Sequence, residues 1–206
     1  MRATLLAMTL VLCACTASHA TPGPATAKGV VLQAKDMADI RKCPQSDRWA
    51  ELMLGGEPEM LPTGFPTWSD LKAAGATDGW LSIYADIESE CPLLLGFAPP
   101  KGRLVYTTAI KFKDAASANS SFVSGSQGFP VADYFADRFT AAGGKVARGA
   151  STGFGESSVV ATITARGVPT YVAFWQNKNF DAVIYADNLS VSEAQSAVAR
   201  MNARIH

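Results

Sequence analysis

The sequence predicts an α+β domain, a two-layer sandwich built on a mostly antiparallel sheet, and three observations carry that prediction. Short runs rich in Val, Ile, Thr and aromatics lie both before and after helix-patterned stretches, an order that segregates strands from helices. Three of these runs, at 158–165, 170–175 and 180–186, are separated only by ARGVP and QNKN. Turn residues between closely spaced strands specify an antiparallel meander. Ser190-Val191-Ser192-Glu193 is a Ser-x-x-Glu capping box, and Val191, Ala194, Val198, Met201 and Ile205 follow at helical spacing, so a closing helix lies across the sheet.

The earlier elements are read in the same way. Val30-Val31-Leu32 is a short strand candidate. From Asp36 to Leu54 the residues favour helix in two pieces broken at Cys43-Pro44, with Asp47 placed to cap the second, RWAELML. Residues 55–70, GGEPEMLPTGFPTWSD, are dense in Gly and Pro and read as loop. Gly79 to Ile87 and Arg103 to Phe112 alternate with the period of a strand; in the second, Leu104, Tyr106, Thr108, Ile110 and Phe112 form the core face. Asp114 caps a helix through AASANSSFV, and Val131 to Ala142 forms another that Gly143-Gly144 ends.

The first residues, MRATLLAMTLVLCACTASHA, are an address. Arg2 gives a positive start, an uncharged apolar stretch runs to Leu12, and small residues follow. That is the layout of a signal peptide, too short for the roughly 20 apolar residues of a spanning helix. Leu12-Cys13-Ala14-Cys15 resembles the bacterial lipobox, in which the chain is cleaved before a lipid-bearing cysteine. Cys13 departs from the commoner residue at its place. The resemblance implies a signal peptide over 1–14, a lipidated Cys15 as mature N-terminus, and anchoring at the cell envelope, in the outer membrane if the host is Gram-negative. Ser18-His19-Ala20 offers a rival, small-x-small site with cleavage before Thr21, which leaves a periplasmic or secreted product. Residues 16–28 carry no large apolar side chain and read as a flexible tether, with a single exported domain over 29–206.

Composition removes several function classes. Lysine plus arginine equals aspartate plus glutamate at 18 each, without long runs of either sign, so there is no electrostatic footprint for nucleic acid. The two histidines, His19 and His206, fall before the domain and at its last residue. Ser-His-Asp, Cys-His and His-bearing metal sites therefore lack their imidazole, and no cofactor is implied. Cys43 and Cys91, an even pair in an exported chain, are expected to form a disulfide.

The last 55 or so residues resemble the ends of exported bacterial lipoproteins and of sensor-like ectodomains of actinobacterial serine/threonine kinases. The residues that carry the likeness are Gly153, Gly155 and Glu156 ahead of the meander, Asn177 in the turn between its last two strands, and the alanine-rich helix from Ala194 to Ile205. It implies a solute- or surface-sensing domain and brings no catalytic residues.

Four stretches compete as sites. STGFGESS, 151–158, contains Gly-x-Gly, but a strand rather than a helix follows it, so it reads as a turn and not a phosphate loop. In DIESE, Asp86, Glu88 and Glu90 alternate onto one face if the strand continues, as weak candidates for a metal or an acid/base pair; a solvated strand edge is the plainer reading. Phe65 and Trp68 are candidates for the rim of a ligand cleft, or for anchors of a loop folded over the sheet. Trp49, Trp80 and Trp175 are assigned to the core. The sequence thus points to an envelope-anchored, non-enzymatic domain binding a small molecule or an envelope protein, with an exported carboxylate-dependent hydrolase or glycosidase as the alternative.

Overall fold

A computed structural model describes residues 25–37, 39–55, 67–95, 99–124 and 130–206. The signal segment, Cys15, tether residues 16–24 and Phe65 lie outside them, as does the side chain of Trp49. The strands are β1 (Arg41–Lys42), β2 (Ala76–Ala85), β3 (Leu104–Phe112), β4 (Lys145–Arg148), β5 (Ser158–Ala165), β6 (Val168–Asn177) and β7 (Phe180–Asp187). They form one open sheet in the order β1-β2-β3-β7-β6-β5-β4, and every neighbouring pair is antiparallel. The helices are α1 (Ala27–Val30), α2 (Ser46–Gly55), α3 (Trp68–Ala73), α4 (Ala115–Ser124), α5 (Pro130–Ala141) and α6 (Val191–Asn202).

The α+β class, the meander and the closing helix are as the sequence predicts. Arg166 and Gly167, at φ 53° and 81°, turn β5 into β6; two left-handed residues match the twist of a tight hairpin. Ser190 accepts from the Glu193 amide and the Glu193 carboxylate accepts from the Ser190 amide, which completes the capping box of α6. Ala194, Val198, Met201 and Ile205 of its stripe are buried, while Val191 is exposed at the helix start.

Helices cover both faces of the sheet. On one face α6 packs over Tyr84, Val105, Ala173, Trp175 and Ile184. There the buried hydroxyls of the central strands meet Leu32. Its amide donates to Thr107 Oγ1 at 3.3 Å, and its carbonyl accepts from Ser82 Oγ at 3.1 Å and Tyr84 OH at 2.9 Å. These bonds tie the N-terminal segment down without leaving orphan groups. On the other face, α2 packs against Leu81, Ile83 and Leu104, α3 and α4 against Ile110 and Phe112, and α5 against Val159, Val172 and Phe174. Both sets of alternating side chains on β3 are therefore largely buried, where the sequence assigns only one set to the core.

Several expectations are corrected. Val30 ends α1 instead of opening a strand, because the Thr26 side chain caps a single helical turn. The described residues of the stretch 36–42 do not form an α-helix: Ala34–Asp36 is a short 3-10 turn, Asp39 takes a left-handed φ of 63°, and Arg41–Lys42 pairs with β2. Ala25 and Ala27, inside the expected tether, are buried; the Ala27 amide donates to Asp78 Oδ2 at 2.7 Å and Lys111 Nζ to the Ala25 carbonyl at 2.8 Å. The glycine- and proline-rich stretch 55–70 contains the start of α3, capped reciprocally by Thr67 and Asp70. The strand expected through Ile87 stops at Ala85.

Candidate functional site

Tyrosines and threonines interrupt the apolar face of the central strands. Tyr106 of β3 and Tyr185 of β7 are direct cross-strand partners. Each is half-buried, although β3 and β7 lie in the interior of a seven-stranded sheet. Tyr106 borders the apolar cluster beneath α2 and Tyr185 the cluster beneath α5. The two clusters meet at a polar seam, with these rings along it.

The seam carries two hydrogen-bonded sets of side chains. Thr108 donates to the Tyr106 hydroxyl. One step toward the other end of the strands, Thr170 Oγ1 donates to Asp187 Oδ1 at 2.6 Å, and Tyr185 hydrogen-bonds to the same carboxylate. Burial, reinforced by the Asp187 charge, pushes the Tyr185 phenol up to about 12; burial also raises Tyr106, opposed by the Thr108 hydroxyl. Asp187 is raised by burial, against hydrogen bonds from Thr170 and Tyr185. Phenols displaced in that direction stay protonated at neutral pH and are poor bases. The seam therefore offers hydrogen bonds and two aromatic faces, with one carboxyl group and no cationic side chain among these five residues. It suits a polar ligand that is neutral or positively charged.

The acidic stretch has a different role. Asp86 takes a bidentate ion pair from Arg103, with Nη2 to Oδ1 at 2.8 Å and Nε to Oδ2 at 2.9 Å, and also accepts from the Arg103 amide. That guanidinium holds the Asp86 carboxyl below its usual range. Glu90 is buried and accepts from the amides of Lys101 and Gly102 at 2.8 and 3.0 Å, while Glu88 is exposed. Because the strand ends at Ala85 and Glu88–Leu95 is 3-10 helical, the three acids do not share a strand face. Asp86 and Glu90 hold the entry to β3. Among the described residues no group of three or more His, Cys, Asp and Glu side chains could hold a metal ion.

Trp68 is not a rim residue here. It opens α3 and is buried against Leu71, Ile110, Phe112 and Ala118, as a loop anchor would be. Trp175 is fully buried and Trp80 half-buried under Lys28, whose Nζ sits 4.4 Å from the ring. The disulfide between Cys43 and Cys91 is formed, with Cα atoms 5.7 Å apart, and links the entry of α2 to the acidic 3-10 segment. Sequence reading missed the seam, whose signal was present. Tyr106 and Thr108 sit on the face assigned to the core, and Tyr185 and Asp187 continue that face across β7.

No helix among the described residues is long and apolar enough to cross a membrane. No family model and no curated protein matches the chain. The crystal structure of the extracellular domain of PknH from Mycobacterium tuberculosis is similar, with a TM-score of 0.51 and 10% identity over 87% of this chain and 94% of that one. At that identity the likeness is one of fold: an open antiparallel sheet with helices packed on it.

Proposed function

We propose that this chain is a lipid-anchored domain of the cell envelope that binds a small polar ligand along the Tyr106–Tyr185 seam and does not transform it. One observation carries the reading: two half-buried tyrosines stand side by side on neighbouring central strands, between two apolar clusters. A face serving stability alone would fill that seam with aliphatic side chains. The proposed address is Cys15 at the mature N-terminus, with a free periplasmic or secreted domain as the outcome if cleavage follows Ala20 instead. An intact Cys43–Cys91 disulfide suits an oxidising compartment outside the cytoplasm. The similar fold belongs to an extracellular domain, which accords with that location. The partners are then the membrane, through lipid, and a polar small molecule or the polar surface of an envelope protein. The balanced charge gives no attraction for nucleic acid.

The carboxylate-hydrolase reading gains nothing from the geometry. Asp181 and Asp187 are the acids in the sheet raised by burial. Six residues apart on one strand, they stand about 20 Å from each other, whereas glycosidase pairs lie about 5–9.5 Å apart. A thermal-shift screen of polar amines, amino acids and polyols tests the proposal, with wild type run beside Tyr185→Phe and Asp187→Asn. At least one class should raise the wild-type melting temperature and lose that effect in both variants. Equal shifts in all three proteins, or none in any, would refute the seam as the site.

A further inference from the structure

At the far end of the same strands, away from Asp187 and Thr170, a cavity opens. The turn at 153–157, the β6–β7 turn and the last turn of α6 border an open, solvent-facing pocket of about 480 Å³, within the roughly 300–1,000 Å³ typical of small-molecule sites. Phe154, Glu156, Gln176, Asn177, Lys178 and Asn202 line it.

Its amides are fixed in orientation. Asn202 Oδ1 accepts from Trp175 Nε1 at 3.2 Å and from Asn177 Nδ2 at 2.7 Å. With the Asn202 oxygen engaged by two donors, its NH₂ is left for a ligand of the pocket these residues line, as is the oxygen of Asn177. Neither of these atoms has another hydrogen-bond partner among the described residues. Gln176 is held by the donation of its Nε2 to the Lys178 carbonyl. Phe154 is half-buried, its ring tilted 38° to the indole of Trp175 at 6.0 Å. Glu156 and Lys178 set one charge of each sign at the rim.

We propose that this cavity binds a neutral saccharide. An adjacent donor and acceptor, both pre-oriented, match the vicinal hydroxyls of a pyranose. Phe154 offers an aromatic surface for the C–H face of the ring. Opposed charges that cancel give no preference for phosphate, and the glycine turn leads into β5 rather than a helix, so no helix N-terminus is available to an anion. A peptide is disfavoured by position. Extended peptides add to the edge of a sheet, and this cavity lies beyond the turn between two interior strands.

Saturation-transfer NMR on the full-length protein with cellobiose and N,N′-diacetylchitobiose tests the proposal, with N-acetyl-alanyl-alanine amide as the peptide control. Concentrations up to about 10 mM fill even a site of about 1 mM affinity. Asn202→Asp retains an oxygen for Trp175 and Asn177 but replaces the outward donor with an acceptor. It should weaken saccharide binding at least tenfold, a factor of about 1.4 kcal/mol, with the fold intact by circular dichroism. Asn177→Ala, which leaves the Trp175 bond in place, should do the same and serves if the first variant is unstable. Binding to the soluble disaccharides marks free sugars as a source, and co-sedimentation with purified peptidoglycan marks a polymeric glycan; either supports the site. Saturation of the peptide alone, saccharide binding unchanged in both variants, or no saccharide signal together with no co-sedimentation would overturn it.

Discussion

Replacing Asp181 with Asn should make the protein more stable at neutral pH and less sensitive to alkali. Asp181 points from β7 toward α4 and is fully buried, and neither carboxylate oxygen has a hydrogen-bond partner among the described residues. Its cross-strand neighbours are Ile110 and Gln176. Helix α4, AASANSSFVS, carries no charge, and its buried Ser121 hydroxyl makes no hydrogen bond of ordinary geometry. Burial therefore drives the carboxyl well above its usual range, and the nearby Ser121 hydroxyl opposes this only in part. The folded protein then holds a proton that the unfolded chain has released, from the ordinary carboxylate range up to the raised folded value. Stability from this group is complete below the unfolded pKa and declines as pH rises through that window, by up to about 1.4 kcal/mol per pH unit. Asn keeps the shape and cannot ionise. An amide at this position is as unsatisfied as the protonated carboxyl it replaces, so the difference between the two proteins is the linkage term alone. In a chain of this size each kcal/mol moves the melting temperature by about 2–4 °C. Asp181→Asn should thus melt above wild type at pH 7.5, by about 3–6 °C for each pH unit of that window lying below pH 7.5, and close to it near pH 4. Thermal melts followed by circular dichroism across that range provide the assay. A variant less stable than wild type at pH 7.5, or with the same fall in stability toward alkaline pH, would refute the reasoning.

Other perturbations separate the remaining claims. Removing the disulfide with Cys43→Ala and Cys91→Ala opens a 48-residue span and should cost about 4 kcal/mol by chain entropy, measured by urea titration; in the wild-type domain, intact mass should show the Cys43 and Cys91 thiols becoming alkylatable only after reduction. Ser190→Ala removes the side-chain cap of α6 and should cost about 1 kcal/mol in the same assay, with Ser190→Thr close to wild type. Asp86→Asn should cost about 0.5–1 kcal/mol at neutral pH, discounted for its partial exposure. Because the folded Asp86 carboxyl is lowered, that difference should vanish as pH falls through its folded value. Cys15→Ser should lose palmitate labelling and detergent partitioning while Cys13→Ser keeps both; persistent labelling of Cys15→Ser would remove the anchor from the account.

Local rules read the second half of the chain well because each element there carries its own signal. Arg166-Gly167 and Lys178-Asn179 are turns between strongly β-forming runs, and Ser190 with Glu193 marks a helix start by side chains three residues apart. The N-terminal third was less legible because distant partners set its conformation. Val30, Val31 and Leu32 have strand propensity, yet the Thr26 cap and the hydroxyls of Ser82, Tyr84 and Thr107 decide their path. Arg41-Lys42 pairs with β2 because the Cys43 amide bonds the Ile83 carbonyl at 2.8 Å and the Ile83 amide bonds Ser46 Oγ at 2.9 Å. Neither signal is local. The tyrosine seam was half legible: alternation put Tyr106 and Thr108 on the right face, but their being half-open at the joint of two clusters follows from where α2 and α5 dock.

Selective ¹³C labelling of tyrosine tests the central claim most directly. The chain has five tyrosines. Tyr106 and Tyr185 face the seam, whereas Tyr84 and Tyr171 are each 1% exposed on the opposite face of the sheet. Titration with a compound that raises the melting temperature should shift the Tyr106 and Tyr185 ring signals in parallel with saturation, leaving Tyr84 and Tyr171 in place. Saturable binding that moves Tyr84 or Tyr171 and leaves Tyr106 and Tyr185 unshifted would contradict the account.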